Sequence, residues 1–136
     1  MLYAYTLESQ TTNTNNNVIF NINGIRNSCA IRHEAGTSTI TITKPGTYTV
    51  SVNLDATSAA TGTSQFTLYN NGTAVSGAVA TSTIATANDI DNYSFTAAIR
   101  VLPSCPAVIN TAQLTVVNTG ANAAIISNAA ITVREL

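Results

Sequence analysis

Residues 38–54 read STITITKPGTYTVSVNL. Ile40 and Ile42 alternate with Thr39, Thr41 and Thr43. Beyond Lys44-Pro45-Gly46, Tyr48, Val50, Val52 and Leu54 alternate with Thr47, Thr49, Ser51 and Asn53. A period of two sends successive side chains to opposite faces of an extended chain. Each run therefore predicts a strand with one apolar face and one face of Thr, Ser and Asn. Pro presets φ and Gly accepts positive φ, so Lys44-Pro45-Gly46 predicts a tight bend between neighbouring strands.

The same contrast recurs outward in both directions. On the N-terminal side, Leu2 to Thr6 alternates and is aromatic, as an edge strand would be. Gln10 to Asn17 (QTTNTNNN) has no core-forming residue and predicts a polar linker. Residues 1–17 are therefore expected to form an attachment strand and tether, and residues 18–136 the domain proper. Val18, Phe20 and Ile22 alternate up to Asn23-Gly24. Ile31 and His33 share a face with Cys29.

On the C-terminal side, Asn70-Asn71-Gly72 predicts a hairpin turn, because Asn and Gly tolerate positive φ. One strand is expected within Val79 to Ile84. Tyr93, Phe95, Ala97, Ile99 and Val101 form the longest clean alternation, and Pro103 and Pro106 bracket Cys105 in a loop. Leu114–Val117, Ala123–Ile126 and Ala130–Val133 are expected as separate segments. No stretch shows capped helical periodicity. Roughly eight to ten short strands between turn signals predict an all-β sandwich or jelly roll. Its core should take Ile42, Tyr48, Val50, Val52, Phe66, Leu68, Phe95, Ile99, Leu114, Ile131 and Val133. Thr39, Thr41, Thr49, Thr67 and Thr96 should face outward.

Composition narrows the function. The 136 residues suit one domain. Only 8% are charged, with 23 Thr, 16 Asn and 11 Ser in place of charges. The net charge is −1 and the five basic residues are scattered, which argues against a nucleic-acid partner. No apolar run nears the ~20 residues of a membrane span. Residues 1–20 lack the basic start and apolar stretch of a signal peptide. The expectation is therefore either a trimmed part of a longer chain or delivery without the secretory route, as for virion or spore-layer proteins.

Some segments near the C-terminus are apolar on both faces. Val116 and Val117 are adjacent, as are Ile125 and Ile126. A strand oily on both faces is covered on both faces. In a two-layer sandwich the second cover would be another subunit, so these four residues are expected at a subunit interface.

The order GTYTVSVNL, FTLYNNGTAVSG, a long alternating strand, LTVVNTG and ISNAAITVREL resembles the trimeric jelly roll of the tumour necrosis factor and complement-head superfamily. The resemblance covers residues 18–136. It is nearest to phage head-fibre or capsid-decoration proteins and to the heads of collagen-like spore-surface glycoproteins. The chain differs from the latter in having no Gly-X-Y stalk, with 7 Gly in all. The resemblance implies a homotrimer, no catalysis, no cofactor, and a capsid or other surface-layer protein as partner. It implies a virion surface, or alternatively a spore or cell surface as an adhesive head. A carbohydrate-binding module meeting a host-surface glycan is a further alternative.

Few residues carry chemistry. His33-Glu34 stands outside any catalytic-triad context, and a structural histidine is expected there. Asp89 and Asp91 are the candidate calcium ligands, but their loop lacks the length and Gly of a calcium loop, so a solvated turn is expected. Cys29 and Cys105 fit a disulfide, an intermolecular link or two thiols, and their spacing does not suggest metal. Asn71-Gly72-Thr73 and Asn92-Tyr93-Ser94 match the N-glycosylation pattern, which recurs by chance in a chain rich in Asn and Thr. Tyr3, Tyr5 and Tyr69 are expected on outer faces.

Overall fold

Alternation organises every long strand of the computed structural model, which describes residues 1–103 and 111–136. In chain order the strands are β1 (Leu2–Thr6), β2 (Gln10–Thr12), β3 (Ile22–Arg26), β4 (Ile31–His33), β5 (Ile40–Ile42) and β6 (Gly46–Thr57). They continue with β7 (Gly62–Asn70), β8 (Thr73–Ile84), β9 (Asp91–Val101), β10 (Ala112–Asn118) and β11 (Ala124–Glu135). There is no helix among the described residues. One sheet runs β3-β1-β11-β6-β9, with β2 also paired to β11, and the other runs β4-β5-β10-β7-β8. All the strand pairs are antiparallel, as in a jelly roll.

The two sheets close on one core. Tyr48, Val50, Val52 and Leu54 of β6 face Phe66, Leu68, Leu114 and Val116 of the other sheet, all buried. Phe66 meets Tyr93 edge-on at 5.0 Å. The Tyr48 hydroxyl donates to the Lys44 carbonyl at 2.7 Å, so the buried phenol is not left unpaired. Of the expected core, only Phe95 is half-buried, because β9 ends its sheet and the facing β8 offers small side chains there. Of the expected outer threonines, Thr67 is buried. Its hydroxyl pairs with that of Thr119 at 2.8 Å, beneath the β10–β11 turn.

Several boundaries differ from the sequence reading for physical reasons. β5 and β6 are consecutive but lie in opposite sheets, so Lys44-Pro45-Gly46 crosses between layers. Asn23-Gly24 does not end a strand. It lies inside β3 at a bulge, where the register with β1 shifts between Tyr3 and Ala4. Ser127-Asn128 likewise marks a bulge within the single strand β11. β8 is one strand from Thr73, and its hairpin turn has positive φ at Asn71 and Gly72, as the sequence requires.

The N-terminal segment is not a detached tether. β1 sits between β3 and β11, and Leu2, Ala4 and Thr6 are fully buried. β2 extends the same edge of β11. Residues 15–18 then cross to the second sheet. The Asn15 N–H donates to the Asn118 carbonyl at 2.7 Å, the Asn118 N–H to Asn16 at 3.0 Å, and the Val18 N–H to Val116 at 2.8 Å. Polar side chains suit this strap because its work is done by backbone hydrogen bonds.

Two outcomes are expected. Phe66→Ala should cost about 3–5 kcal/mol in urea denaturation through the cavity it leaves, and Phe95→Ala clearly less. Burial pushes the Tyr48 phenol above its ordinary 10.0, with Glu135 adding and Lys44 opposing. The unfolded chain thus releases this proton first. Stability from Tyr48 is complete below pH about 10 and is lost as pH rises through the folded value. Melting temperatures followed above pH 9 should fall less steeply in Tyr48→Phe.

Candidate functional site

The chemistry-bearing side chains are mostly engaged in structure. His33 is buried, edge-on to Phe20. Its Nε2 lies 2.9 Å from the Thr37 carbonyl and its Nδ1 faces Asn23 Oδ1. The Asn23 amide in turn donates to the His33 carbonyl at 2.8 Å. Among the described residues, no hydroxyl, thiol or carboxylate hydrogen-bonds either ring nitrogen. The imidazole therefore ties β4 to β3.

Asp91 accepts a hydrogen bond from Ser82 at 2.7 Å, whereas Asp89 sits on the exposed turn before it. Asn92 instead reaches across to Asn53 and Asp55, at 2.7 and 2.8 Å. No group of three potential metal-ligating side chains forms among the described residues. Cys29 is exposed, and Cys105 and Pro106 lie outside the described residues. Of the two N-glycosylation matches, Asn71 binds the Thr111 carbonyl and the Gln113 N–H, at 3.0 Å each.

The four residues expected at a trimer interface separate. Val116 and Ile126 point into the core and are fully buried within one chain. They leave a partner nothing to touch, so the apolar excess read there is partly ordinary core. Val117 faces outward, but the strap at Asn17 and Thr67 cover it to 7% exposure. Ile125 alone stays open, at 38%.

A larger open surface lies elsewhere, on the outer face of the β3-β1-β11-β6-β9 sheet. Tyr3 is opposite Ile25 and Tyr5 opposite Ile22, four contiguous side chains on two strands. Ile22 and Ile25 are 41% and 45% exposed. The two tyrosine rings lie 5.5 Å apart at 33°, directly above Gly24. A Cβ there would come 2.8 Å from Tyr5 and 3.0 Å from Tyr3, so the bare backbone at the bulge is what seats both rings. Across the face Thr132, Ser51 and Thr96 continue the Tyr3 row, and Ala130, Asn53 and Ser94 the Tyr5 row. No charged residue interrupts these rows. Arg134 and Arg100 stand towards one end of them and Asp55 towards the other.

This face adjoins a bare edge. β9 ends its sheet and β8 ends the other, side by side, and no described strand pairs with their outer edges. All twelve residues of β8 are uncharged, as are residues 92–99 of β9. Val79 is 41% exposed. Long unprotected edges invite pairing or cover, and charges or proline usually guard them. The sequence reading missed Ile22, Ile25, Gly24 and this edge. The one available signal was the absence of charge along β8.

The fold has close counterparts among solved structures. The Eiger TNF of S. frugiperda superposes with a TM-score of 0.70 at 11% identity, over 99% of this chain and 92% of that one. Murine APRIL gives 0.67 at 10%, over 98% of both. PRD1 vertex protein P5 gives 0.55 at 12%, over 99% and 96%. Such identities carry the fold alone, and that fold is a TNF-like jelly roll. No family model matches the sequence, and no curated protein matches it.

The Gly24 seat is testable. Gly24→Ala should displace Tyr3 and Tyr5, visible as a changed near-ultraviolet tyrosine circular dichroism. Because the rings lie at the surface and can move, the loss of stability should stay below about 3 kcal/mol.

Proposed function

We propose that the chain is a non-enzymatic structural module of a virion surface, a head-fibre or capsid-decoration protein that works as a homotrimer. The observation that carries this reading is the pair of uncharged rows led by Tyr3 and Tyr5 across the outer face of the β3-β1-β11-β6-β9 sheet, beside an edge that is uncharged along β8 and along residues 92–99 of β9. Interface cores are depleted in charge and enriched in Tyr, as this face is. The face and the edge are different surfaces, so one copy's edge meeting the next copy's face is a heterologous contact. Such a contact either closes as a ring or grows without end. Closure at three follows the TNF-like fold and the resemblance to trimeric heads. Ile22, Ile25, Tyr3, Tyr5 and Val79 then replace Val116 and Ile126 as interface residues.

A virion setting is supported by PRD1 vertex protein P5, whose fold this chain shares and whose name places it at a vertex. Its partner would be a capsid or other surface-layer protein. With His33 engaged in structure, the exposed surface offers docking rather than chemistry.

Light scattering at micromolar concentration should give three times the 14.1 kDa of one chain. Ile25→Lys and Val79→Lys change side chains exposed in a single chain, so each should lower that mass while the β-sheet circular dichroism persists. A well-folded wild-type monomer would sink the assembly reading. Immunogold labelling of the native particle that carries the chain should mark its outer shell.

A further inference from the structure

On the side opposite the bare edge, β3 and β4 end their respective sheets, and residues 27–30 join them. Here lies an open depression of about 910 Å³, lined among others by Arg26, Asn27, Arg32, Glu34, Thr39 and Thr41. We propose that it binds a saccharide carrying a single carboxylate, such as a sialate or uronate. The site lies within one chain and does not depend on how many copies assemble.

Charge is the first argument. The chain has five basic residues, and two of them, Arg26 and Arg32, line this one depression. Among the described residues the one ion pair is Lys44 with Glu135, at 3.2 Å. Residues 104–110 contain no acid that could neutralise either arginine. Glu34 shares the depression without pairing to them. The local balance is therefore +1 on a chain of net −1.

Preorganisation is the second. Arg32 Nε donates to the Cys29 carbonyl at 3.1 Å, which holds the guanidinium plane and leaves its Nη groups for a ligand. A planar guanidinium recognises a carboxylate bidentately. The rest of the lining specifies the remainder of the ligand. Thr39, Thr41 and Asn27 offer hydroxyls and an amide with no side-chain partner among the described hydrogen bonds. These suit sugar hydroxyls. Glu34 would accept from such hydroxyls but repel a phosphate dianion. The lining has no Phe, Tyr or Trp on which a nucleobase could stack. The volume falls within the ordinary range for a small-molecule cleft.

The test is NMR titration of the wild-type chain with 3′-sialyllactose and with glucuronate, against lactose and inorganic sulfate. At least one acidic sugar should shift backbone amides of residues 26–41, and lactose and sulfate should not. Arg26→Gln and Arg32→Gln alter exposed side chains, so both should stay folded with an unchanged light-scattering mass. Each should weaken the acidic sugar about tenfold or more. An equal response to lactose would overturn the proposal, because the arginines would then be idle. So would an equal response to sulfate, which would mark an adventitious ion only. A response to neither acidic sugar, or one unchanged in the arginine variants, would overturn it as well. The mass readout keeps failure here separate from failure of the trimer.

Discussion

The sandwich depends on the ladder between β6 and β11. It runs from Ile125 opposite Thr57 to Glu135 opposite Tyr48, interrupted by one bulge. β11 binds β1 and then β2 along its other side, and β6 binds β9. Three strands therefore take their register directly from this pair. Since side chains alternate, a slip of one residue here would turn the whole apolar set of the slipped strand out to solvent, Val50 and Val52 in β6 or Ile131 and Val133 in β11. That joint penalty gives the register its specificity. It also explains why the chain's first strand is integral: Leu2 and Ala4 complete the core only beside Val133 and Ile131.

Asn118 joins this sheet to the other. Its fully buried amide donates to the Thr12 and Asn122 carbonyls at 2.8 and 3.1 Å, and its oxygen accepts from the Gly120 N–H at 3.0 Å. A buried polar group is tolerated only when paired in this way. The turn it organises packs closely on β7, where a Cβ at Gly120 would lie 2.8 Å from the Gln65 nitrogen. One satisfied amide thus locks the N-terminal strap, the β10–β11 turn and β7. Val117 and Thr67 are covered as a result, while the outer face of the other sheet and the two sides of the sandwich stay open.

Those open surfaces differ in chemistry. The rows led by Tyr3 and Tyr5, and the adjoining edge along β8 and residues 92–99 of β9, lack charge and suit protein–protein burial. The β3–β4 side gathers arginines and hydroxyls and suits a small polar anion. A surface built from Thr, Ser and Asn keeps the rest of the outer faces hydrated with few charges. The fold shared with Eiger TNF, APRIL and vertex protein P5 at 10–12% identity is compatible with this division, because the shared part is the inward pattern.

The sequence by itself determined the class of the structure and the inward face of its alternating strands. Period-two alternation from Ile40 to Leu54 and from Tyr93 to Val101 is local, and pleating reads it directly. Asn71-Gly72 similarly announced its turn, because positive φ is a property of those residues. Only the tertiary structure decided which sheet each strand joined. Ile42 and Tyr48 face one interior whether β5 and β6 pair as a hairpin or cross between layers, so alternation cannot distinguish the two. It also decided that Val116 and Ile126 serve the core, that Gly24 seats two tyrosines, and that Arg26 and Arg32 converge. Each of these depends on long-range pairing of strands whose own sequences carry no record of their neighbours.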